Sequence, residues 1–147
     1  MSLETEARLF FEQHYNCAQS VFGVYAERMG MDLETAFRIA TPFGGGMGHN
    51  GQVCGAVSGG LMAIGLARGI TVYDKDKKYA CYDLAVRFQD NFAELHGDLT
   101  CPGLLGLDIG IEEELAQVRE EGLFQSLCPV FVGDAARMVG EVLGMEG

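Results

Sequence analysis

At 147 residues and 15.9 kDa the chain has the length of one domain, spanning 1–147, and can bury a core without disulfide or metal staples. Ten Lys and Arg against 21 Asp and Glu give a formal net charge of −11, which argues against nucleic acid or an anionic membrane surface as a partner. No charged segment followed by an apolar one opens the chain, and its longest apolar run, Val53 to Ala67, is fifteen glycine-rich residues, so neither membrane insertion nor export is expected and the location reads as cytoplasmic.

Met1-Ser2-Leu3 and Glu146-Gly147 read as vector-derived ends and receive no function. A first helix is predicted over Glu4 to Gln13. Asn16 then caps a second helix, with Cys17 at its first position, an apolar face of Ala18, Val21, Phe22, Tyr25 and Met29, and Gly30 as its stop. Asp32 caps a third, Leu33 to Ala40, which Thr41-Pro42 ends.

The stretch FGGGMGHNGQVCGAVSGG, residues 43–60, holds eight glycines in eighteen positions and leads into a fourth helix over Gln52 to Ala67, with Cys54 in its first turn. A fifth runs from Lys75 to Leu95 with a stripe of Cys81, Leu84, Ala85, Phe88, Phe92 and Leu95, closed by Gly97. Past an irregular stretch, Gly97 to Gly110, a more polar helix covers Glu112 to Glu121. The last is predicted from Pro129 to Leu143, with Pro129 at the first helical position and Cys128 as its cap. Strand-like alternation is scarce beyond residues 69–73, and the expected fold is an all-α, single-domain bundle of about six helices with a glycine-rich loop before the fourth.

Cysteine placement carries the chemical signal. Cys17, Cys54 and Cys128 fall at predicted helix N-termini, and Cys101, also followed by proline, opens a short turn. Such ends present unpaired N–H groups that favour thiolate over thiol. Thiolates that converge need their charge taken up by a soft metal, an iron–sulfur cluster or oxidation to a disulfide. Cys81 completes an apolar stripe and is assigned to packing.

The gaps of 37, 47 and 27 residues contain no C-x-x-C, so a shared site must be assembled by the fold. Gly45, Gly46, Gly48, Gly51 and Gly55 are the positions where backbone or cofactor can approach closely, although tight helix packing asks for the same residues. Gly44-Gly45-Gly46 lacks the phosphate-loop pattern. His49, five residues before Cys54, can supply a ligand or a proton, whereas His14 and His96 are blander.

Asn16-Cys17-Ala18-Gln19-Ser20-Val21, the glycine-rich segment with Cys54-Gly55-Ala56-Val57-Ser58-Gly59, Cys101-Pro102-Gly103-Leu104-Leu105-Gly106 and Cys128-Pro129-Val130-Phe131-Val132 together resemble the redox-active C_GCAxxG_C_C family. The resemblance covers nearly the whole chain and implies that the family's four cysteines fall on Cys17, Cys54, Cys101 and Cys128, with no counterpart for Cys81. A related helical module occurs in split-Soret cytochrome c, which implies electron-transfer surroundings and transfers no haem site.

The leading expectation is a thiol-based redox or metal site on these four cysteines, holding an iron–sulfur cluster or another thiolate-bound metal and serving a redox partner that the sequence does not identify. The rivals are a metal-free thiol/disulfide protein or sensor, with Cys54 the low-pKa thiol, a structural zinc site on the four cysteines, and an acidic helical interaction module. Apolar residues at 48% permit a homodimer interface without requiring one.

Overall fold

The computed structural model describes residues 1–145, and within them the chain is all helical, without a β-strand. The reading of 146–147 as a vector-derived end lies outside the described residues, while Ser2 and Leu3 belong to the fold: Ser2 caps the first helix and Leu3 is buried.

Side-chain caps set most helix starts. Helix α1 (Leu3–Glu12) begins where Ser2 accepts from the Thr5 N–H, and α2 (Cys17–Arg28) begins at a reciprocal cap between Asn16 and Gln19. Asp32 starts α3 (Leu33–Ala40), after which Thr41–Phe43 forms a 3-10 turn and Gly44–Met47 a tight turn with left-handed Gly45 and Gly46. Then follow α4 (Gly55–Arg68), α5 (Lys75–His96), α6 (Cys101–Leu105), α7 (Glu112–Glu120) and α8 (Leu123–Leu143).

Helix α4 lies at the centre, against α2, α5 and α8, and α8 also packs on α1 and α2. Val21 and Tyr25 of α2, Val57 and Ile64 of α4, Phe88 and Phe92 of α5, and Val132 and Val139 of α8 are fully enclosed there. The Tyr25 hydroxyl donates to the Ala136 carbonyl at 2.6 Å, tying α2 to α8 through a buried polar contact, and burial pushes its ionisation well above the ordinary phenol range. Tyr25→Phe removes that donor, and thermal unfolding should show a loss of about 1–2 kcal/mol.

Three local differences from the sequence expectations bear on the site. Helix α4 begins at Gly55, not Gln52, because Val53 pairs with Thr100 in an isolated antiparallel bridge. The last helix begins at Leu123, immediately after left-handed Gly122, so Cys128 and Pro129 lie inside it. The apolar residues Leu123, Phe124 and Leu127, all packed against the core, extend the helix across the position that proline would otherwise open. Cys128 is therefore not a helix cap. At the end of α5, Leu95 is exposed at 54% and His96 instead turns inward to Asp134 at 2.9 Å.

Candidate functional site

Four cysteines come together from four segments. Cys17 is the first residue of α2, Cys54 is the residue just before α4, Cys101 is the first residue of α6 and Cys128 lies in the second turn of α8. All four are buried and all four line one cavity of about 570 Å³. Cys81 lies elsewhere on α5, half-buried at the edge of the core, in agreement with its assignment to packing.

The bridge between residues 52–54 and 99–101 does much of this work. The Cys54 N–H donates to the Leu99 carbonyl at 2.8 Å and the Cys101 N–H donates to the Gln52 carbonyl at 3.0 Å. Two residues 47 apart in sequence are thereby fixed on adjoining backbones. Thr100 then caps α6 by accepting from the Gly103 N–H, which sets the Cys101 side chain beside the start of α4.

Glycines provide the clearance. A Cβ on Gly46 would stand 3.1 Å from the Cys101 Sγ and 2.9 Å from the backbone of Gln52, and Gly46 also has a left-handed φ of +67°. One on Gly55 would stand 3.1 Å from the Cys17 Cβ and 2.9 Å from the Ala18 nitrogen. Gly45 lines the cavity beside the His49 ring. Gly48 and Gly51 shape the loop, with nearest contacts to Pro42 and to Asp108 respectively, away from the thiols.

The thiols influence one another pairwise, Cys54 with Cys101 and Cys17, and Cys17 in turn with Cys128. Donation from Cys101, then from Cys17, holds the Cys54 thiol well below the usual thiol range despite burial, and the Ala56 and Val57 amides at the start of α4 add to the effect. Cys17 moves the other way, because its proton is held in bonds to Cys128 and Cys54 and because burial disfavours its charge. Cys101 is raised as well, first by its bond to Cys54 and then by burial. The cluster thus favours one central thiolate flanked by protonated neighbours.

This asymmetry has a pH signature in the reduced, metal-free chain. An ordinary thiol loses its reactive form below about pH 8.5, whereas Cys54 keeps it until the pH falls through its lower value. Replacing Cys17 and Cys101 with alanine removes both donors, and alkylation of Cys54 at pH 7, followed by peptide mass spectrometry, should slow about tenfold.

Phe11, Leu104, Leu105, Phe124 and Phe131 wall the cavity, while exposed His14, His49 and Arg119 stand at its mouth. The distance of His49 from Cys54 in sequence makes it legible as a candidate. His14 and Arg119 are not, since each sits among residues that read as solvated. Among the described residues, no three His, Cys, Asp or Glu side chains are arranged to hold one metal ion.

Fold and site together describe an all-helical protein with four cysteines lining one cavity. The chain belongs to the C_GCAxxG_C_C family: the family pattern described as "Putative redox-active protein (C_GCAxxG_C_C)" matches residues 15–142. No curated protein and no solved structure matches it. Among the described residues no helix is long and apolar enough to cross a membrane.

Proposed function

We propose that this is an electron-transfer protein in which Cys17, Cys54, Cys101 and Cys128 hold an iron–sulfur cluster. The observation that carries the reading is the meeting of four thiols from four separate segments on one cavity, with Cys81 outside it.

The residues fit such a group in three respects. Four sulfurs are the donor set that iron–sulfur clusters use. The protons that the thiols now share would be replaced by iron, relieving the repulsion that adjacent thiolates suffer. Gly46 and Gly55 leave bare backbone beside Cys101 and Cys17, where a side chain would crowd the Cys101 sulfur and the Cys17 Cβ. A bound cluster supplies a one-electron couple whose potential depends on burial and on hydrogen bonds to sulfur. The chain's part is to bring the thiols together, screen them with Phe11, Phe124 and Phe131, and direct the α4 amides at Cys54.

Metal-free thiol/disulfide exchange is the second reading, favoured by the depressed Cys54 and by the bridge that holds its backbone beside that of Cys101. A closed zinc site is weaker, because the core is large enough to fold without a metal staple. An acidic interaction module leaves the convergence of the thiols without a purpose.

Anaerobic purification followed by iron, zinc and sulfide analysis with a visible spectrum separates these readings. Iron and sulfide in comparable amounts, with thiolate-to-iron charge-transfer bands, support the cluster, and zinc alone supports the structural site. Metal-free protein that forms a Cys54–Cys101 disulfide on mild oxidation supports the exchange reading.

A further inference from the structure

Charge is sorted sharply around the cavity. The sequence carries 21 carboxylates against 10 Lys and Arg, yet none of the residues lining the cavity is Asp or Glu. His14, His49 and Arg119 line it instead, so two of the chain's three histidines are at this mouth. Arg119 projects from an acidic helix, but Glu112, Glu113, Glu120 and Glu121 of that region stay out of the lining. Arg8, Arg28 and Arg137 are ion-paired, whereas Arg119 forms no ion pair among the described residues. Its charge faces an opening lined by no carboxylate, and the buried Cys54 thiolate is the anion that the lining itself supplies.

The backbone at the mouth is also held against its preference. Among the described residues, left-handed φ values outside glycine occur at His14 (75°), Met47 (67°) and His49 (62°), and both histidines line this cavity. Such a conformation is strained for a residue with a Cβ, and it persists where the surroundings fix a side chain in place. Here it points two imidazoles at one opening. The His49 ring stacks on Phe124 with planes 12° apart, which presents a flat edge beside the apolar wall.

We infer that the cavity binds a small organic anion, with its carboxylate or phosphate group held at the mouth by Arg119, His14 and His49 and its ring-bearing apolar body lying against Phe124, Phe131 and Leu104. A volume of about 570 Å³ is in the range of small-molecule pockets. In a chain of net charge −11 the long-range field repels anions, so a mouth of Arg119 and two imidazoles is selective for a ligand that can reach it and compensate for desolvating Arg119. As the substrate class of the redox centre the inference rests on the function proposed above, while binding itself does not require a loaded cluster.

The test uses the full chain, purified anaerobically with its iron and sulfide content recorded, and a matched pair of probes: naphthalene-2-carboxylate and the neutral naphthalene-2-methanol. Calorimetry or ligand-detected NMR should find the carboxylate bound about tenfold more tightly, with the His14 and His49 imidazole resonances shifting and that of His96 unchanged. Arg119→Gln should bring the carboxylate down to the level of the alcohol, Phe124→Ala should weaken both probes, and Arg38→Gln, on an exposed position away from the cavity, should change neither. Equal binding of the two probes, binding of neither, or an unaltered Arg119→Gln variant overturns the inference. A normal iron and sulfide content without carboxylate preference defeats this inference alone, and preference without any iron defeats the cluster alone.

Discussion

Cys54→Ser is expected to abolish loading of the centre while leaving the helical fold in place, with bound iron and sulfide falling about tenfold or more relative to the unsubstituted chain. Cys54 is the thiol that interacts with both Cys101 and Cys17, so its loss leaves Cys101 apart from the pair Cys17 and Cys128. Serine keeps the volume close to that of cysteine, but its hydroxyl stays neutral and cannot serve as the thiolate toward which the neighbours donate. Removing even an outer-shell partner of a metal site costs about 10–100-fold in affinity, and a direct ligand sets a higher floor. Cys81→Ser, on the edge of the core, should leave iron and sulfide within about twofold of the original value.

The second large effect is a contrast between two glycines of the same helix. A Cβ on Gly59 would lie 2.7 Å from the Ala18 carbonyl oxygen and 3.0 Å from the Ala18 Cα, and backbone atoms cannot swing aside as a side chain can. Gly59→Ala should therefore destabilise the chain by about 1–3 kcal/mol, despite the better helix propensity of alanine. Because Ala18 adjoins Cys17, the forced separation of α2 from α4 should also lower loading of the centre. Gly65 meets nothing within 4 Å, so Gly65→Ala should instead stabilise by up to about 1 kcal/mol. Denaturant unfolding of both variants checks the pair; a destabilised Gly65→Ala beside a neutral Gly59→Ala would overturn the packing argument.

Legibility in the sequence followed the range of the interaction. Local signals placed α2 and α3 closely, since Asn16 and Asp32 cap neighbours three residues away. The grouping of Cys17, Cys54, Cys101 and Cys128, and the exclusion of Cys81, were also available, from helix starts and from the resemblance to the family. Cys128-Pro129 misled because proline at a helix start is a local rule, while the apolar packing of Leu123, Phe124 and Leu127 that overrides it is tertiary. The bridge joining Val53 to Thr100 was invisible for the same reason, as nothing in either segment names the other. Arg119 was hidden among carboxylates, and only the fold separates its direction from theirs.

The most direct test of a single four-cysteine centre is cysteine-by-cysteine labelling with N-ethylmaleimide, read by peptide mass spectrometry, on the reduced metal-free chain and again after anaerobic reconstitution with iron and sulfide. The expected result is that Cys17, Cys54, Cys101 and Cys128 lose reactivity together, in proportion to the iron bound, while Cys81 labels equally in both states. Reactivity retained at any of the four in fully loaded protein, or protection that includes Cys81, would contradict it.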